Sequence, residues 1–208
     1  MESKNNCQEE KIVYFEKPGW RNTEVTLDLV AERAKARGIN KIVLASTRGV
    51  TARMAMERFQ DTGIKLVVVP HQYDFDAEER FQPEIITELE SKGHRFYAST
   101  MLFHTDNFYG TGSPSVMATL LRTFCQGFKV CIEIVLMAVD GGCVKPGEEV
   151  IIVSGTGRGA DTAMVALAAS TRNLHDLHVT EIICKPLNTR SWRSGTKPPP
   201  EILRHDDD

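Results

Sequence analysis

Two stretches of the chain place small, hydroxylic and basic residues in the pattern that suits a phosphate group. The first is Ser46-Thr47-Arg48-Gly49 with Thr51 close behind, and the second is Gly155-Thr156-Gly157-Arg158-Gly159 with Asp161. Each follows an aliphatic run, Val43-Leu44-Ala45 or Ile152-Val153-Ser154, and each leads into a segment that reads as helix. A helix start presents unpaired N–H groups and the positive end of the macrodipole, so it attracts an anion. Glycine lets backbone approach a ligand, hydroxyls add donors, and arginine adds a charged fork. Helix capping calls for the same residue types as Ser46 and Thr47. Three glycines in the five residues 155–159 require close approach by something, either a ligand or a neighbouring backbone.

Rival motifs fit less well. The second turn lacks the Gly-Lys-Ser/Thr ending of a triphosphate loop. Gly155, Gly157 and Ala160 satisfy G-x-G-x-x-A, with Glu181 at a spacing suited to a ribose contact, but too little chain follows for a dinucleotide fold. Asp161 is read as lying in the first turn of a helix, where dipole complementarity and a ligand hydroxyl are alternative explanations. His71 and His104 follow the second and third strands and are the candidate acid–base groups, with solvated loop histidines as the alternative. Lys129 and Glu133 stand i, i+4 in an apolar helix and read as an ion pair, in the weaker order. Phe108, Tyr109 and Trp192 could stack on a flat ring or anchor their own loops. Arg190, Arg193 and Lys197 could reach a phosphate or solvate the tail.

These residues need a scaffold, and the hydrophobic pattern describes one. A helix from the Asn22 cap to Arg37 uses Val25, Leu27, Leu29, Val30 and Ala34 and stops at Gly38. Short aliphatic runs at 41–45 and 64–69 read as buried strands, and 95–99, 149–153 and 179–184 read as the remaining strands. Helices are expected at 50–59, 83–91, over a long stretch from Pro114 that breaks near Gly127, and over an alanine-rich stretch from Arg158 to Ser170. Alternation of strands and helices implies crossovers and a mainly parallel sheet covered on both sides. No linker divides the chain, so residues 1–208 are expected to form one domain with its core at about 20–187.

Composition excludes several classes. A net charge of -3 from well-mixed signs argues against a nucleic-acid groove or a membrane surface. Five cysteines, none in a CxxC pair or at zinc-like spacing, suit reduced buried thiols, and no metal is expected. The polar start is unlike a signal peptide, and the apolar runs are too short to span a bilayer, so a cytoplasmic protein is expected. A homo-oligomer is compatible with all of this.

The two turns resemble those of the C-terminal α/β domain of pyruvate kinase over about Asn40 to Pro186. Four stretches are similar to a stand-alone family named after that domain: Phe81 to Ile85, Gly127 to Ile134, Gly155 to Thr162 and Glu181 to Pro186. The resemblance implies a three-layer α/β/α fold with a five-stranded sheet of order 3-2-1-4-5 and an antiparallel last strand. It also implies flavin mononucleotide (FMN) as ligand, held by Ser46, Thr47, Arg48, Gly49, Thr51 and Gly155 to Gly159 with Asp161. In that order strands one and four are neighbours whose connections diverge, which is where α/β sheets open a binding crevice. The expected functions are a flavin-dependent redox role, a non-catalytic sensor of a phosphorylated metabolite such as a sugar phosphate, and an enzyme on a phosphorylated substrate with His71 or His104 as base. Pyruvate kinase activity is not expected, because its catalytic barrel has no counterpart here.

Overall fold

The computed structural model describes residues 7–73, 75 and 81–188. Along the chain these form β1 (Val13–Phe15), α1 (Thr23–Arg37), β2 (Lys41–Ala45), α2 (Val50–Arg58), β3 (Lys65–Val69), α3 (Pro83–Ser91) and β4 (Arg95–Phe96). Then follow α4 (Asp106–Tyr109), α5 (Ser113–Leu121), α6 (Gln126–Asp140), β5 (Glu149–Ser154), β6 (Thr162–Leu167) and β7 (His178–Pro186).

The strands make one sheet in the order β1-β7-β6-β5-β2-β3-β4. Every neighbouring pair is parallel except the two that involve β6. Successive strand residues face opposite sides, and β2 shows the result. Ile42 and Leu44 join the core beneath α1, α2 and α3, whereas Val43 joins the core beneath α5 and α6. The expected α/β/α layering is therefore present, and the expected neighbourhood of the first four strands recurs as β4-β3-β2-β5.

The five-stranded sheet and the helix over 158–170 need correction. Thr162–Leu167 is a strand inserted between β5 and β7, and β1 extends the far edge, giving seven strands. The antiparallel member is this inserted β6; the last strand runs parallel to β5 through two reversals. Alanine favours helix in isolation, but here the packing decides. Ala163 and Val165 bury against the α1 side, Met164 and Ala166 against the α6 side, and all four are fully buried. A short apolar run buried on both faces has no periodicity that separates strand from helix.

Smaller differences have local causes. Asn22 makes no cap bond to α1; its amide instead donates to the carbonyls of Lys17 and Gly19, at 2.8 and 3.1 Å. Val25 is exposed, and Leu27, Val30 and Ala34 form the buried stripe of α1. Gly38, at φ 66°, closes that helix in the left-handed conformation that favours glycine. The long segment from Pro114 breaks between Leu121 and Gln126, and the Cys125 sulfur accepts the Phe128 N–H at the start of α6.

Candidate functional site

The first turn sits where expected. Leu44 pairs with Val153, and continuing that register sets Ser46 beside Gly155 at the C-terminal ends of neighbouring strands. The Ser46 N–H donates to the Val69 carbonyl at 3.2 Å, tying the turn to β3. Ser46 is buried, and its hydroxyl accepts the Ala52 N–H at 3.3 Å, so it acts as a cap for α2. Thr51 is buried too. Gly49 precedes α2 at φ 104°, and a Cβ there would lie 2.2 Å from Ile85 Cδ1, so both conformation and packing require glycine. Thr47 and Arg48 are half-buried at the mouth of the turn. The first-turn N–H groups of Val50 and Thr51 have no intrahelical acceptor, as at any helix start.

The second turn is a hairpin loop, and this corrects the strand-to-helix reading. Residues 155–161 join β5 to antiparallel β6, so no helix dipole stands behind them. The glycines answer mainly to neighbouring backbone. A Cβ on Gly155 would meet the Gly159 carbonyl oxygen at 2.3 Å, and one on Gly159 would meet Trp20 Cα at 2.5 Å. Gly157 differs: it is exposed at φ 79°, and a Cβ there would meet nothing within 4 Å. Thr156 and Arg158 are half-buried beside it.

Asp161 is not in a helix and is fully buried. Its Oδ2 accepts the Gly19 N–H at 2.8 Å and the Thr156 N–H at 3.1 Å, and its Oδ1 accepts the Thr162 hydroxyl at 2.8 Å. Burial pushes its carboxyl above the ordinary aspartate range, against the opposing effect of these bonds. Asp161 therefore positions the loop, holding it to the segment before α1. Thr23 assists by accepting the Ala160 N–H at 3.0 Å. Neither Gly19 nor Thr23 carried a sequence signal for this role, because both are joined to the loop only by the fold.

The start of α6 reaches the same edge of the sheet from the opposite face. The Ser154 hydroxyl donates to the Gly127 carbonyl at 2.6 Å, and a Cβ on Gly127 would collide with Thr162. Two residues on, Lys129 is fully buried and paired with Glu133 at 2.5 Å. Glu133 also accepts the Phe103 N–H at 2.7 Å, and His104 Nδ1 lies 3.3 Å from Lys129 Nζ and 3.5 Å from Glu133 Oε1. Burial lowers Lys129. Burial pushes Glu133 upward, but His104, Lys129 and the Phe103 N–H outweigh it and leave the carboxyl lowered. His71 and His104 are linked through Phe75, whose ring stands edge-on to each at 4.8 and 5.6 Å.

The remaining candidates separate. Phe108 and Tyr109 are largely exposed and pack on each other at 4.6 Å. Glu181 is bound by Arg33 and Arg37 at 2.9 and 3.1 Å, which accounts for it without a ribose. Arg190, Trp192, Arg193 and Lys197 lie outside the described residues. An apolar hollow of about 300 Å³ lies between α5, α6 and β7, lined by Met117, Leu121, Phe128 and Ile132, away from both turns. Among the described residues no His, Cys, Asp or Glu cluster could hold a metal, and no helix is long and apolar enough to cross a membrane.

Residues 24–166 match the family model described as pyruvate kinase, alpha/beta domain. Among solved structures, a pyruvate kinase from Cryptosporidium parvum superposes with a TM-score of 0.40 at 15% identity, covering 71% of this chain and 23% of that one. The Cryptosporidium parvum pyruvate kinase in complex with ADP superposes at 0.36 and 15%, covering 69% and 22%. This chain thus spans less than a quarter of the length of those enzymes. The family match extends from the second residue of α1 into β6 and includes both turns, and the chain belongs to the pyruvate kinase α/β-domain family.

Proposed function

We propose that this protein binds a phosphorylated small molecule, FMN, at the ends of β2 and β5. One observation carries the reading: the N-terminus of α2 opens beside the glycine loop 155–159, at the edge where the connections from two adjacent parallel strands diverge. The residues suit a nucleotide phosphate. The first turn of α2 supplies backbone donors, Thr47 and Thr156 supply hydroxyls, and Arg48 and Arg158 supply positive charge. Gly157 leaves open space beside the loop, as an approaching ligand requires. The identity of the ligand as FMN comes from the family resemblance. Ser46, Gly49 and Thr51 build the turn, and Asp161 fixes the loop; none of these four needs to touch the ligand.

A bound flavin would supply electron and hydride chemistry at its ring. The chain itself holds the phosphate, orients the remainder of the ligand and shields it from water. Fluorescence titration of FMN tests the reading. Thr47→Ala with Arg48→Ala should weaken binding by roughly tenfold to a hundredfold, since it removes a charge-assisted bond and a hydroxyl. The melting temperature should not move. Unchanged affinity in the double variant would refute the phosphate site, and a sugar phosphate that binds where FMN does not would favour the sensor function.

A further inference from the structure

Lys129 stands where three effects oppose it. It is fully buried, so its charge is stripped of water. It lies in the first turns of α6, near the positive end of the dipole. It also precedes its carboxylate partner, the less favourable order for an i, i+4 pair. An apolar pair at 129 and 133 would fill the same space without these costs. What the ionic pair adds is a set of polar atoms facing His104. Lys129 Nζ is saturated by Glu133, by His104 Nδ1 and by the face of Phe103 at 5.3 Å. No solvent or ligand reaches it, which excludes it as a nucleophile.

The histidine is the accessible member. Its side chain is 29% exposed, with Nδ1 turned to the buried pair and Nε2 on the far edge of the ring. Either ring tautomer finds a partner there. Nδ1–H can donate to Glu133, which leaves a lone pair on Nε2, or Nδ1 can accept from Lys129, which leaves a proton on Nε2. Such a ring can take up a proton and return it without moving.

The cluster is also fixed to both turns of the site. Ser46 is bonded to Val69, two residues before His71, and Phe75 bridges His71 to His104. Ser154, next to Gly155, is bonded to Gly127, two residues before Lys129. The α6 side of the sheet edge is therefore tied to both turns, and His104 is the partly exposed member of the buried cluster there. We propose that His104, held at Nδ1 by the buried Lys129–Glu133 pair, is the proton-transfer residue for the non-phosphate end of a phosphorylated small molecule seated between the two turns.

In the forward step an O–H, N–H or C–H proton of the ligand passes to Nε2, and its bonding pair stays with the ligand. The imidazolium so formed keeps Nδ1–H on Glu133, and the reverse step returns the proton. His104 is the catalytic residue, and Lys129 and Glu133 are positioning residues. The groups facing the ring are Lys129 and Glu133 from α6, with His71 behind Phe75, and Arg122 acts on Lys129 from the end of α5.

This inference rests on the ligand reading above, and the experiment separates the two. Diethyl pyrocarbonate modification is followed at each histidine by peptide mass spectrometry, with and without FMN, while FMN binding is read from its own fluorescence. At tenfold excess over Kd, FMN should slow modification of His104 about tenfold and leave the exposed His175 unaffected. FMN that binds without protecting His104 overturns the proton site alone. FMN that does not bind overturns the flavin reading, and the same protection measured with a sugar phosphate, which also has a non-phosphate end, then decides the proton site, supporting it or overturning it. Nitrogen NMR of labelled histidine supplies the second readout. Lys129→Met removes the donor to Nδ1 while the Glu133 carboxylate remains as acceptor, and should collapse the His104 ring onto the Nδ1–H tautomer. Ring resonances unchanged from the wild type would overturn the positioning role.

Discussion

Replacing Asp161 tests whether the glycine loop is held from behind by a buried carboxylate. In Asp161→Ala the N–H groups of Gly19 and Thr156 lose their acceptor, while the Thr162 hydroxyl keeps the Cys125 sulfur at 3.5 Å. A buried N–H left unpaired costs about 1–3 kcal/mol. Gly19 and Thr156 are only half-buried, so the lower half of that range applies and the total is roughly 2–4 kcal/mol. Asp161→Asn behaves differently. Its oxygen can take the place of Oδ2 and accept both N–H groups, and its amide can donate to the Thr162 hydroxyl. The asparagine variant should lie within about 1 kcal/mol of wild type.

The two variants also differ in pH dependence. Burial raises the folded-state carboxyl of Asp161 above its unfolded value. Its contribution to stability is therefore fully present below the ordinary aspartate range and is lost as pH rises through the raised folded value. Asparagine has no such loss, so Asp161→Asn should gain on the wild type as pH rises through that window. Urea unfolding at closely spaced pH values measures this difference, and subtraction removes the other carboxylates. Equal destabilisation by alanine and asparagine, or a constant difference between asparagine and wild type across the window, would refute the positioning role of a buried charged Asp161.

Two further outcomes follow from the buried groups. Lys129→Met leaves Glu133 without its cation and should cost about 3–5 kcal/mol in chemical unfolding, whereas adding Glu133→Gln should recover all but about 1–2 kcal/mol; a double variant no better than the single one would show that the charge pair is not the source of the loss. Burial pushes the thiols of Cys125 and Cys131 up, and that of Cys184 up to about 12. Iodoacetamide at pH 8 should therefore modify exposed Cys7 in the folded protein and reach those three only in denaturant, as read by peptide mass spectrometry.

The parts legible in the sequence were those with a local cause. Gly38 ends α1, Pro83 opens α3, and the aliphatic runs at 41–45 and 65–69 needed both faces covered. The pairing of β2 with β5 was reached only through the family resemblance, since register between distant strands leaves no local mark. What escaped was decided by tertiary packing. Thr162–Leu167 has the composition of a helix and becomes a strand because α1 and α6 close on it from both sides. Val13–Phe15 is too short to announce itself and exists by pairing with Cys184 to Pro186. Ser46 and Thr47 were found by chemistry that does not distinguish a cap from a ligand, and the structure assigns Ser46 to the cap. Lys129 and Glu133 within an apolar helix were legible as an ion pair, yet their link to His104 needed the loop from β4 to reach α6.

In the proposed site, the hairpin between β5 and β6 changes how the two turns would share the work of binding. Had both turns opened helices, each would bring about half a positive charge to the phosphate and either could anchor it. Only α2 does so here, so in the proposed site the helix-dipole part of the affinity belongs to the β2 side, and the 155–159 loop would add the charge of Arg158, shape and contacts. That loop does not stand alone. Its conformation depends on Asp161, whose strongest backbone partner is Gly19, and on the close packing of Gly159 against Trp20. Gly19 is in turn placed by β1, which is paired to β7 at the far edge of the sheet. In the proposed site, the described segment before α1 therefore supports the loop from behind. Changes in β1 that leave the core intact should loosen the loop side of the site and spare the α2 side, weakening a whole nucleotide more than inorganic phosphate.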